Sequence, residues 1–136
     1  PAIAGFGAAA AALPNLAAEL KEVTELRDYM RDRLLALGGV VINSPDDALP
    51  YVTNISVLGI NSEPMLNFLS SLGVYVSSGS ACSKGHQSSV LKNMGLSDEV
   101  RKSPLRISFS RFTTKEEIDM LIDGIAEGQK TIRKNK

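Results

Sequence analysis

The sequence predicts an α+β fold, a small mixed β-sheet of about three to four strands with helices packed on it, and three observations carry that expectation. Two long segments, 16–37 and 114–132, repeat apolar residues at steps of three and four, as a buried helical face requires. Three short runs, Val40-Val41-Ile42, 51–58 and 105–109, have the β-branched or alternating character of strands. Glycines and turn-forming clusters separate the two kinds of element, and no internal repeat interrupts them.

The first long helix places Leu16, Leu20, Val23, Leu26, Met30, Leu34 and Leu37 on one face, with Asn15 positioned to cap it and Gly38-Gly39 to stop it. Strands Val40–Ile42 and Tyr51–Leu58 follow, separated by the turn-rich Asn43-Ser44-Pro45-Asp46-Asp47. A helix is expected over Ser62–Leu72, with Ser62 as cap, Met65, Leu66, Phe68, Leu69 and Leu72 inward, and Gly73 as terminator. A brief strand, Val74–Val76, leads into SSGSACSKGHQSS (77–89), which has almost no large apolar group and reads as a mobile loop. After a short helix over Val90–Met94, ended by Gly95, a polar connection reaches the strand Leu105–Phe109. There Leu105, Ile107 and Phe109 share one face, and Arg106 and Ser108 the other. Thr114-Lys115-Glu116-Glu117 matches a capping box and opens the last helix, whose buried stripe is Ile118, Leu121, Ile122, Ile125 and Ile132.

At 136 residues the chain fits one domain, and 15 basic against 15 acidic residues give no electrostatic reason to expect nucleic acid or an anionic membrane as partner. No apolar run approaches the roughly 20 residues that span a bilayer, and the start lacks the basic flank of a signal peptide, so a soluble, cytoplasmic protein is expected. The chain starts on Pro1 and an alanine-rich stretch, which reads as the start of a fragment. A single cysteine forms no internal disulfide and supplies too few thiols for a metal cage; it is either filler or a reactive thiol, and no metal site is expected.

Cys82 sits between Ala81 and Ser83 in a run of serines and glycines, unlike a buried structural cysteine among apolar neighbours. Lys84 is close enough in sequence to favour the thiolate, and Gly79 and Gly85 would let the thiol swing. His86 invites a Cys-His pairing, but a dyad needs a rigidity that such a loop does not promise, so an exposed loop histidine is the preferred reading. Arg106, on the non-core face of a central-looking strand, calls for a carboxylate or phosphate beside it, or for a structural salt bridge with a nearby glutamate. Arg111 is at the strand end, where a solvated arginine needs no partner. Ser77, Ser78 and Ser80 are a weak candidate for cradling an anion with backbone N–H groups.

The motifs SSGSACSKG (77–85) and LRISFSRFTTKEEID (105–119), with SSVLKNMGLSDE (88–99) between them, resemble the small domain of cysteine desulfurases of the class V aminotransferase family, in the subclass with a long Ser/Gly cysteine loop. The likeness runs over essentially the whole chain: residues 1–14 resemble the end of the large domain and the connecting segment, and 15–136 the C-terminal small domain of a fold-type I pyridoxal phosphate (PLP) enzyme. The resemblance implies conversion of L-cysteine to L-alanine with a persulfide on Cys82, Arg106 holding the substrate carboxylate, and PLP as cofactor of the full-length enzyme. It also implies a homodimer and delivery of sulfur to an acceptor or iron-sulfur scaffold protein. Ser110 departs from the pattern, which usually has glycine there, and a positive φ at that position would strain a serine. No lysine has a setting like that of the PLP-binding lysine, so this stretch alone is expected to be inactive. Residues Pro1–Leu13, without a large domain to cover them, are expected to expose apolar surface. Two other readings are a different class V enzyme, such as a selenocysteine lyase or an aminotransferase, and a docking module for sulfur acceptors.

Overall fold

The computed structural model describes residues 1–13, 15–79 and 89–133. Its elements are α1 (Ala2–Ala11), α2 (Leu16–Leu37), β1 (Val40–Ile42), β2 (Val52–Val57), α3 (Ser62–Ser71), α4 (Ser89–Asn93), α5 (Asp98–Lys102), β3 (Pro104–Ser108) and α6 (Lys115–Thr131). The α+β expectation holds, with the three strands in the order β1-β2-β3. Both pairings are antiparallel, where the sequence allowed a mixed sheet. The reason is topological: the helical crossover α3–α5 returns the chain to the end of β2 that it left, placing Pro104 opposite Ser56, so β3 runs back along β2.

One face of the sheet builds the core. Ile42, Ile55 and Leu105 form a row across the three strands, flanked by Val57 opposite Val40 and by Thr53 opposite Ile107. Helices α2, α3 and α6 cover this face with Val23, Met30, Leu34, Met65, Leu69, Ile118, Leu121, Ile122 and Ile125, all buried. Helices α3 and α6 approach so closely that a Cβ at Gly124 would stand 2.7 Å from Leu69 Cδ2, and one at Gly128 2.8 Å from Met65 Sδ. Between α2 and β1, Gly38 and Gly39 both take positive φ, which explains the glycine pair.

Several expectations are corrected. Leu16 and Leu20 do not join the buried face of α2 but are 63% and 43% exposed, because the hydrophobic cluster takes up this helix only from Val23 onward. Residues Pro1–Leu13, by contrast, expose apolar surface as expected: α1 has no buried residue, and Ile3, Phe6 and Leu13 are all exposed. Ser62 is the first helical residue rather than the cap, which is Asn61, and its hydroxyl donates to the Lys102 carbonyl instead. Val74–Val76 form no strand; only Ser77 pairs with β3, through an isolated bridge to Arg106. The short helix expected before Gly95 is α4, and Gly95, with φ of +75°, ends it as expected; the connection that follows, read only as polar, holds the additional helix α5. No single described helix is long and apolar enough to cross a membrane; α1 and α2 pass that test only as a pair bent by 72°.

Thr53 leaves a flaw in the core. It is 1% exposed and its hydroxyl has no hydrogen-bond partner among the described residues, so folding removes that hydroxyl from water without replacing its bonds there. Thr53→Val keeps the shape and removes the unpaired group. It is expected to raise stability by about 1 kcal/mol, read as a higher urea midpoint at unchanged slope.

Candidate carboxylate site on the second face of the sheet

The alternation that buries Ile55, Leu105 and Ile107 turns Asn54, Ser56, Arg106 and Ser108 to the opposite face. One end of that face is closed by α5. There Ser56 Oγ donates to the Val100 carbonyl at 2.8 Å, Val57 N–H donates to the Ser103 carbonyl at 3.2 Å, and Ser103 Oγ bonds back to Glu99 O at 3.0 Å. The other end is open, with Val52, Arg106 and Ser108 exposed.

Across the boundary runs a polar row. Asn43, just past β1 and only 7% exposed, donates through Nδ2 to Asn54 Oδ1 at 2.7 Å and to Ser56 Oγ at 2.8 Å. Asn54 is directly opposite Arg106, and Arg106 is bridged on its far side to Ser77. Ser77 N–H donates to the Arg106 carbonyl at 3.1 Å, and Ser77 Oγ donates to the Gly79 carbonyl at 3.2 Å. Directly opposed residues of antiparallel strands have Cβ atoms about 4.5–5.5 Å apart, so Asn54 and Arg106 work side by side. Arg106 is exposed and makes no ion pair among the described residues, which removes the structural salt bridge as its explanation. The arrangement is a cation on a rigid strand, facing outward, with amide and hydroxyl groups beside it. It suits a small carboxylate, which pairs with a planar guanidinium through two parallel hydrogen bonds.

The sequence matches the family Aminotransferase class-V over residues 1–121. The chain belongs to the class V aminotransferase family. It is 38% identical over 125 residues to a protein named cysteine desulfurase NifS from Azotobacter vinelandii, covering 88% of this chain and 31% of that one. It is 40% identical over 111 residues to one named cysteine desulfurase IscS from Vibrio vulnificus, covering 79% and 27%. Among solved structures, a NifS-like protein superposes with a TM-score of 0.75 at 28% identity, over 86% of this chain and 30% of that one. A NifS-like protein from Rickettsia africae does so with a TM-score of 0.70 at 28% identity, over 82% and 29%. The chain thus spans about a third of the length of the curated relatives it matches.

For a class V aminotransferase sequence the cofactor implied is PLP, and the described residues do not fit it. The described lysines, Lys21, Lys92, Lys102, Lys115 and Lys130, are all solvent-exposed, with none in a buried setting. No group of three or more histidine, cysteine, aspartate or glutamate side chains gathers among the described residues either. Ser110, which replaces the family's glycine, carries no penalty: no described residue other than glycine has positive φ. Its hydroxyl instead accepts the Phe112 N–H at 3.2 Å. Arg111 stacks on Phe112, 4.9 Å from the ring centroid, away from Arg106's row.

The expectation that Ser77 offers its backbone N–H to an anion is corrected: that N–H is taken by the Arg106 carbonyl, and its hydroxyl by the Gly79 carbonyl; Ser78 is exposed next to it. Ser80, Cys82, Lys84, Gly85 and His86 lie outside the described residues. The sequence reading missed Asn43, Asn54 and Ser56. The signal was present in VTNISV, where Asn54 and Ser56 alternate with inward Thr53, Ile55 and Val57 and so share the face of Arg106. Away from this face, the Tyr29 hydroxyl titrates above its usual range because it donates to Asp119 at 2.7 Å. Burial and a hydrogen bond to Glu19 raise Tyr51 as well.

Proposed function

We propose that this chain supplies the substrate-carboxylate arginine and the persulfide-forming cysteine of a cysteine desulfurase. The observation that carries the reading is Arg106: exposed, without an ion-pair partner among the described residues, and fixed on β3 with polar neighbours on both sides. The relatives named cysteine desulfurase support the reaction class.

In the proposed reaction the Cys82 thiolate takes the sulfur of L-cysteine. The carbon–sulfur bond of the substrate breaks, a sulfur–sulfur bond forms on Cys82, and the substrate carbon gains a proton, giving L-alanine and an enzyme persulfide. Arg106 holds the substrate carboxylate throughout. PLP is assigned to residues other than those described, and the sulfur is passed to an acceptor or iron-sulfur scaffold protein in the cytoplasm, by a homodimer of the complete enzyme. Residues 1–14 are read as the connecting segment and 15–136 as the small domain, which agrees with a helix α1 that buries no side chain.

The test is mass spectrometry of the full-length protein, PLP-loaded and given L-cysteine, with peptide mapping around residue 82. A gain of about 32 Da on Cys82, one sulfur atom, is expected together with L-alanine, and Cys82→Ser is expected to abolish both. Transamination products with an unmodified Cys82 would move the assignment to an aminotransferase.

A further inference from the structure

We propose that Asn54 is a second carboxylate-binding residue, its side-chain amide N–H donating to one oxygen of the anion that Arg106 holds, with Asn43 as the positioning residue that aims it. The inference rests on the desulfurase reading above and deepens it by assigning a binding role to the neighbouring strand.

Three features of Asn54 lead there. First, it is clasped from the β1 side. Its carbonyl accepts the Asn43 N–H at 2.8 Å and the Ser44 N–H at 3.3 Å, its own N–H donates to Ser44 Oγ at 2.8 Å, and its Oδ1 accepts from Asn43 Nδ2 at 2.7 Å. Asn43 is itself buried and also tied to Ser56, which is anchored on Val100, so the amide is tethered by a network that reaches α5. Second, this network uses only the oxygen of the Asn54 amide: its Nδ2, a double donor, has no partner among the described residues. A half-buried amide nitrogen leaves hydrogen-bonding capacity unused unless a ligand or water takes it. Third, the register sets Asn54 directly opposite Arg106 on the same face, within reach of one carboxylate. A guanidinium alone attracts any anion. A neutral donor fixed beside it reads the position of the carboxylate as well as its charge, and leaves the net charge of the site to Arg106.

The informative substitution is Asn54→Asp. It is isosteric and preserves an oxygen for the Asn43 Nδ2 bond, but replaces the free donor by a charged acceptor that pairs with Arg106 and repels the substrate. In the full-length PLP-loaded enzyme, KM for L-cysteine is expected to rise about a hundredfold. The rate at saturation should stay within about threefold, and the thermal midpoint should be nearly unchanged. Asn54→Leu, which removes the donor without adding charge, is expected to raise KM about tenfold. Asn43→Ala, which frees the amide from its tether, should raise it by a smaller factor in the same direction.

A KM within about threefold of wild type in both Asn54 variants, while Arg106→Ala shifts it strongly, would overturn the role of Asn54 and leave the desulfurase reading intact. Loss of folding in both variants, or a fall in kcat at constant KM, would also overturn it, by showing that Asn54 is structural. Absence of L-alanine formation by the wild-type enzyme would sink the desulfurase reading and this inference with it.

Discussion

Ile55→Ala is expected to remove about 3–4 kcal/mol of stability, the largest loss from any single truncation in the sheet. Ile55 is fully buried at the centre of the row Ile42–Ile55–Leu105, touching strands on both sides and the helical layer above. Truncation deletes three carbons from a site that is tied into hydrogen-bonded ladders on both edges and so relaxes little around the void. Domains of this size are held by about 5–15 kcal/mol, so one such cavity removes a large share. Urea denaturation followed by far-UV circular dichroism reads the effect as a lower midpoint at unchanged slope. A loss below about 1 kcal/mol would show that the row repacks.

One position along the same strand pair, the opposite outcome is expected. Arg106→Ala should leave stability within about 0.5 kcal/mol of wild type, since the side chain is exposed and forms no ion pair among the described residues. In the full-length enzyme it should weaken the interaction with L-cysteine by about 1.5–3 kcal/mol, the worth of hydrogen bonds to a charged group, which is roughly a ten- to hundredfold rise in KM. Arg106→Lys restores the charge but not the planar fork, so only part of the loss should return. Steady-state kinetics beside a thermal melt separates the two effects. A variant that unfolds would contradict the assignment of Arg106 to ligand binding.

What was legible in the sequence was written in local signals. Thr114 and Glu117 satisfy each other's backbone N–H groups at 3.3 and 3.1 Å, as the capping-box pattern requires, and α6 begins there. Leu105, Ile107 and Phe109 are all nearly inaccessible while Arg106 and Ser108 are exposed, because a strand with one buried face must alternate. Even α5 had a local signature: Ser97 caps it, Asp98 and Glu99 begin it and Arg101 and Lys102 end it, an order that suits the helix dipole.

Other features depended on neighbours distant in sequence. The apolar rhythm of α2 continues through Leu16 and Leu20, and periodicity alone does not tell whether another surface arrives to cover them. Val74–Val76 have the composition of a strand, but only Ser77 meets β3, so composition overstated the pairing. The Asn43–Asn54–Ser56 network joins the end of β1, the middle of β2 and α5, and no short window of sequence contains it. Cys82, the most informative residue in the sequence, lies outside the described residues.

The antiparallel return of β3 has a consequence for the order of assembly. Strands β1 and β2 are joined by a short connection and can pair early, whereas β3 docks only after three helices have been laid down between Ser56 and its partner Pro104. Asn54 and Arg106 therefore meet late, when the largest loop in the sheet closes. A chain stalled before that closure would have its hairpin and helices yet lack the Asn54–Arg106 pair, so any ligand binding that depends on the pair should recover later during refolding than the helical signal.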